Sequence, residues 1–310
     1  MGVAGKAAIL LDRTAVLFLG LALGGVITFS FFASGEQTKA EGGTGTPPAQ
    51  LAANVVPAAA QADQPGIVGP RLASAAVEGR KIHVGVFGDS FGDGIHAALY
   101  HQLAASDGFD VHKFSHQATG FTRYRTTNLL DDTRQKLDAQ PIDVAVLSFG
   151  ANDMQGVFVD GHGSEFMSDR WKQIVGQRVG EVVALLRQRG AAVYWVGLPR
   201  MREAEYDRNV QAMNAFYVER MGQLGVPFVE TLSASVDASG GYAPYLRDPK
   251  TGAQFSARTN DGVHMTIPGY YLLTRGLSER IRKSVVEARA QAGQPSSRQA
   301  AASGAGATRS

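Results

Sequence analysis

The chain of 310 residues contains no cysteine. Disulfide frameworks, zinc ribbons, iron–sulfur clusters and thiol nucleophiles are therefore excluded, and so is a lipid anchor that needs a processed cysteine. A strong charge of one sign is also missing. Residues 81–287 hold 22 basic and 23 acidic side chains, and the formal net charge of +2 comes from three arginines in residues 288–310. Neutralising phosphates needs a basic footprint, so nucleic acid is not expected as a partner. No His-Glu-x-x-His pattern occurs, and His96 and His101 lie five apart on a predicted helix. They do not share a helix face, so no metal or other cofactor is expected. His83 and His112 fall within predicted strands and are read as structural or surface residues. Aromatic residues are missing from Ala33 to Val86, and five of the 12 prolines lie in 47–70. Such a stretch buries little apolar surface against the entropy of ordering, so 34–80 is read as a flexible linker. Residues 288–310 are read as a disordered low-complexity tail.

Charge is also missing from 19 consecutive residues, Ala15 to Ala33. A helix of that length spans roughly 28 Å, near the hydrocarbon thickness of a bilayer. Lys6 and Arg13 precede it, which favours the N-terminus inside. Residues 1–33 are read as a cytoplasmic N-terminus and transmembrane signal-anchor. Small residues at Ala33-Ser34-Gly35 keep a cleaved signal peptide open. Either way the remainder is expected in the bacterial periplasm or cell envelope.

Residues 81–287 alternate apolar β-type runs with helical stretches. Strands are predicted at 81–87, 109–115, 142–149, 191–198 and 226–231. Helices are predicted at 92–105, 125–138, 168–189 and 203–223, with a last one from Ile267. The alternation implies parallel βαβ units and a three-layer α/β/α sandwich around a five-stranded sheet. Ligands of such folds sit outside the carboxyl ends of the strands, and conspicuous polar residues fall there.

Strand one runs into Gly88-Asp89-Ser90-Phe91-Gly92. A serine at a tight strand-to-helix turn is exposed near a helix N-terminus, although Ser and Asp there also serve as helix caps. A serine hydroxyl needs a base to become a nucleophile. Near the end of the core comes Asn260-Asp261-Gly262-Val263-His264. His264 has the chemistry of that base, and Asp261 offers its second ring nitrogen an acceptor. Acyl transfer also needs donors for an oxyanion. Asn152, in Gly150-Ala151-Asn152-Asp153, and the backbone N–H of Gly120, in Ala118-Thr119-Gly120, are candidates. An Asx-turn and a plain turn glycine are the alternative readings.

Taken together, Gly-Asp-Ser after strand one, Gly after strand two, Gly-x-Asn-Asp after strand three and Asp-x-x-His in the last loop resemble the four blocks of the SGNH (GDSL-type) hydrolases. The resemblance spans about 81–275. It implies a flavodoxin-like fold and a Ser–His–Asp mechanism: Ser90 as nucleophile, His264 as base, Asp261 as its orienter. It also implies an oxyanion hole from the N–H groups of Ser90 and Gly120 and the side chain of Asn152. Phe91 and Met265 depart from the usual pattern and are read as touching no reacting group. GDSFG also fits the G-x-S-x-G elbow, but in that fold more strands precede the serine and Asp and His lie on separate loops. Gly92-Asp93-Gly94-Ile95-His96-Ala97 fits a dinucleotide fingerprint, but the acidic residue expected at the end of strand two is absent.

The expected activity is a serine esterase removing O-acetyl or other short acyl groups, from an envelope carbohydrate. The alternatives are an O-acyltransferase with the same triad, which passes the acyl group to a sugar, and a non-catalytic binding module. Arg123, Tyr124, Arg125 and Arg200-Met201-Arg202 are candidate groove residues or surface charge. Segments 154–167 and 240–258 are candidate lids.

Overall fold

The computed structural model describes residues 55–292. The predicted anchor, 15–33, lies outside them, as do 34–54 of the predicted linker and 293–310 of the predicted tail. Among the described residues no helix is long and apolar enough to cross a membrane.

The core sheet is built from β1 (Val55–Pro57), β2 (Ile82–Gly88), β3 (Phe109–Lys113), β4 (Val144–Ser148), β7 (Ala192–Val196) and β8 (Phe228–Glu230). Its order is β1-β8-β7-β4-β2-β3, with every neighbouring pair parallel. Two antiparallel hairpins lie outside it: β5 (Val157–Val159) with β6 (His162–Ser164), and β9 (Tyr245–Arg247) with β10 (Gln254–Ser256). The helices are α1 (Pro70–Glu78), α2 (Ser90–Gln102), α3 (Leu129–Ala139), α4 (Asp169–Gln188), α5 (Ala204–Leu224) and α6 (Ile267–Ala292).

Every residue of β4 and β7 is buried, as expected where a parallel sheet is covered on both faces. Val84, Val86, Val144, Val146, Tyr194 and Val196 face a core shared with α1, α2 and α6. Their strand neighbours Phe87, Leu147, Val193 and Trp195 face α3, α4 and α5. Trp195 is fully buried among Phe121, Phe149 and Tyr217. Truncating it to Ala would cost about 3–5 kcal/mol. The helices start where side chains accept the free N–H groups of the first turn: Asn128 before α3, Ser168 before α4 and Glu203 before α5. Hence the three-layer α/β sandwich expected from the alternating pattern.

Three expectations are corrected. The sheet has six strands, because β1 adds to the outer edge of β8. In addition, part of the predicted linker is structured: Val55–Glu78 forms β1, a 3₁₀ turn at Ala58–Asp63 and α1. Small side chains suffice there because the partner surface is equally small. Gly276 of α6 lies so close to the Ala58 carbonyl that a Cβ at 276 would collide with it. Buried Gln61 donates to the Val56 carbonyl (2.8 Å) and accepts from Arg280 (2.9 Å), which also donates to the Pro65 carbonyl (2.9 Å). The Ile67 N–H donates to Ser284 Oγ (2.9 Å). Polar satisfaction replaces aromatic bulk, which composition could not show. The predicted tail likewise begins later, since Ala288–Ala292 complete α6.

Candidate active site

The turn after β2 sets the serine. Asp89 caps α2, its Oδ1 accepting the Phe91 N–H at 2.9 Å, and Ser90 is the first helical residue. The positive end of the helix dipole therefore lies beside the Ser90 oxygen. From 174 residues further on, His264 brings its Nε2 to 2.8 Å from Ser90 Oγ. Its Nδ1 lies 2.7 Å from Asp261 Oδ2. A carboxylate only accepts, so Nδ1 carries the proton and the Nε2 lone pair faces the serine hydroxyl.

The loop holding Asp261 is tied on itself. Asp261 Oδ1 accepts the N–H groups of Val263 (2.8 Å) and His264 (3.0 Å) and the Thr259 hydroxyl (2.6 Å). Burial pulls this carboxyl's pKa upward, but the hydrogen bonds from His264, Thr259 and the two backbone N–H groups outweigh it and hold the group well below the usual range. Those bonds favour the carboxylate that accepts the His264 Nδ1–H.

The loops after β3 and β4 lean on each other. The His116 N–H donates to the Gly88 carbonyl at 2.9 Å, tying the first of these loops to the serine turn. Asn152 Nδ2 donates to the Thr119 carbonyl (3.1 Å), which uses one amide proton and leaves the other. Gly120 has no room for a side chain, since a Cβ would strike the Asp153 carboxyl. That carboxyl is fully buried and accepts the N–H and hydroxyl of Thr122 at 2.7 and 2.8 Å. Burial raises its pKa against those bonds. Burial likewise pushes Asp89 up to about 7, with the Asp153 charge adding to the shift.

Residues 83–280 match a protein family described as "Protein of unknown function (DUF459)". The chain belongs to that family. That family's description names no activity. No curated protein matches. Among solved structures, the chain is similar to a catalytic mutant of an acetylxylan esterase from Geobacillus stearothermophilus, at 15% identity and TM-score 0.47, covering 65% of this chain and 94% of that one. A GDSL-like lipase from Bacteroides thetaiotaomicron gives 15% identity and TM-score 0.45, with 70% and 97% covered. TesA gives 16% and 0.44, with 64% and 98% covered.

Several supports of this DUF459 site were not legible as such. Phe91, expected to touch no reacting group, stacks on the His264 ring with centroids 5.3 Å apart, and its own edge meets Tyr270. Arg202 is more than groove or surface charge: it donates to the carbonyls of Asn260 and Asp261, both at 3.0 Å, and pins the His264 loop. Arg123 donates to the carbonyls of Asn152 (3.2 Å) and Ala118 (3.3 Å) and pins the opposite loop. Tyr124 is instead covered by the Arg178 guanidinium, 4.2 Å from its ring centre. Arg200 pairs with Asp207 at 3.4 Å, and Arg125 lies over the exposed Phe158 ring of the β5–β6 hairpin, in the first candidate lid. The second candidate lid, β9–β10, lines a cleft of about 400 Å³ with Arg202, Tyr242, Tyr245, Arg258 and Asn260, next to the Asp261 loop. A larger groove of about 630 Å³, between α4 and α5, contains none of the candidate site residues.

Proposed function

We propose that the protein is a serine esterase that removes O-acetyl or other short acyl groups from a carbohydrate of the bacterial envelope, where residues 15–33 hold it. The observation that carries this reading is the unbroken relay from Asp261 to His264 to Ser90, at 2.7 and 2.8 Å. Ser90 Oγ attacks the ester carbonyl as its proton passes to His264 Nε2, and Asp261 stabilises the imidazolium that forms. Negative charge grows on the carbonyl oxygen, where the helix N-terminus, the Ser90 and Gly120 N–H groups and the free Asn152 amide proton would receive it. The alcohol leaves with the proton from His264. Water, deprotonated by the same imidazole, then releases the acid and frees Ser90.

The cleft beside the Asp261 loop supports a carbohydrate leaving group. It is open and sets the exposed Tyr245 ring beside Tyr242 and the polar side chains of Ser256, Thr259 and Asn260, a lining suited to a hydroxyl-rich ring with apolar faces. Hydrolysis of chromogenic acetyl, butyryl and octanoyl esters by the full chain, beside Ser90→Ala, tests the reading. Activity that is greatest on acetyl and absent from the variant supports it, and equal rates from both proteins overturn it. An acylated glycan that accumulates when glycan is added to a donor ester would turn the assignment to acyl transfer.

A further inference from the structure

Outside the serine site, the structure gathers two histidines and a carboxylate at the opposite end of the sheet. His83 lies near the start of β2. In the parallel pairing it stands opposite Asp110, and Gly85 stands opposite His112. Alternate residues of a strand share a face, so Asp110 and His112 project to the same side of β3 as His83 does from β2. His83 Nδ1 lies 2.9 Å from His112 Nε2. Asp110 Oδ2 lies 3.8 Å from each of those two nitrogens.

These three atoms form a triangle with sides of 2.9, 3.8 and 3.8 Å, whose centre lies about 2.1 Å from every corner. That is the bond length of zinc to imidazole nitrogen and to carboxylate oxygen, about 2.0–2.2 Å. Without an ion, two imidazole nitrogens at this distance have to share one proton, and the carboxylate faces them from beyond hydrogen-bond reach. We propose that His83, Asp110 and His112 bind a divalent transition-metal ion of the zinc type, with the positions above and below the triangle left for water or a further donor.

The donor set selects the ion. Two imidazoles and one carboxylate suit zinc, nickel or copper, whereas calcium and magnesium take oxygen ligands. The scaffold is rigid. The His83 N–H donates to Asp143 Oδ2 (2.8 Å), and its carbonyl accepts the Asp143 N–H (2.8 Å). Asp143 is fully buried and gripped by a two-pronged Arg80 guanidinium at 2.7 and 2.8 Å. The imidazoles are mostly covered, at 25% and 20% side-chain exposure, while Asp110 is 47% exposed and leaves an entry path. Bound there, the ion would clamp edge strand β3 to β2.

The test uses the untagged full chain, stripped with a chelator. Calorimetric titration with Zn²⁺ should show one site, and Co²⁺ should give a visible ligand-field band that Zn²⁺ removes. Changing partners that merely orient a ligand costs about 10–100-fold in affinity, so His83→Ala and His112→Ala, which each remove a ligand, should weaken binding by at least about 100-fold. Asp110→Asn, the mildest change to the fold, should also weaken it. Ser90→Ala should bind as the wild type does, which separates this site from His264 and Asp261. Should a histidine variant fail to fold by circular dichroism, the comparison of Asp110→Asn with wild type decides. No binding by the wild type at millimolar Zn²⁺, or equal affinity in wild type and variants, would overturn the proposal. Because the readout is binding, the result stands apart from the esterase assignment.

Discussion

Two groups of histidine and carboxylate lie at opposite ends of β2. At its carboxyl end, Asp261 and His264 share one short loop and reach Ser90 across the molecule. At its amino end, His83, Asp110 and His112 sit on two paired strands. Five residue steps along the strand take His83 to Gly88, roughly 16 Å. Both ends hold imidazole nitrogens at fixed positions by backbone geometry. The first couples a nitrogen to a hydroxyl that can be deprotonated and attack. The second sets two nitrogens and an oxygen around a point with no nucleophile beside it. In the proposed readings the same side chains serve proton transfer at one end and ion binding at the other, and the third partner decides which.

The comparison breaks most sharply at Ser90. Ser90→Ala should drop kcat on a chromogenic acetyl ester by about 10⁶-fold and leave Zn²⁺ affinity unchanged. If both fall together, the two ends are not independent. Next comes the carboxylate of the first group. Asp261→Asn keeps the shape but favours the wrong tautomer, and kcat should fall by about 10⁴-fold. Asn152→Ala removes one oxyanion donor and should cost about 10²–10³-fold in kcat with little change in KM, read by steady-state kinetics.

Arg80→Ala sharpens the contrast from the other end. It leaves the fully buried Asp143 carboxylate without its fork and should destabilise the fold by about 3–5 kcal/mol in a denaturant titration. It should also loosen His83 and weaken Zn²⁺ binding, with kcat unchanged below the unfolding transition.

The smallest effect concerns pH. Asp89, pushed up to about 7 by burial from an ordinary 3.8, binds a proton more tightly folded than unfolded. Its contribution to stability is therefore full below about 3.8 and fades as pH rises toward 7. Asp89→Asn keeps the helix cap without the charge. Its Tm relative to wild type should rise by a few degrees between pH 4 and pH 8, followed by thermal melts. A constant difference across that range would mean that Asp89 stays ionised in the folded chain.

The two ends also differ in what a reader of the sequence can see. Asp-x-x-His is local, Ser90 follows an evident strand, and strand-to-helix alternation places both at the same rim, so the serine site was legible before any coordinates. His83 and His112 lie 29 residues apart in sequence, and only the register of β2 on β3 brings them together. A shift of one residue would turn one of them to the other face. Register is a product of packing on both sides of the sheet, which no local motif states. Arg202 and Arg123 were hidden for a similar reason: each acts through backbone carbonyls, and a carbonyl leaves no signature in sequence. β1 was missed because three residues, Val55-Val56-Pro57, stand among alanines. What orders them is β8, far along the chain, and the turn that follows them rests on Gly276 and Arg280, more than 200 residues away.

That last contact bears on how the molecule is made. The stretch from Ala58 to Ile67 rests on α6 through Gly276, Arg280 and Ser284. On the ribosome it emerges before those partners, which follow more than 200 residues later. The central strands can assemble while synthesis continues, but this stretch lacks its α6 contacts until that helix is released. Ordering of the segment around Gln61 therefore follows that of the central strands.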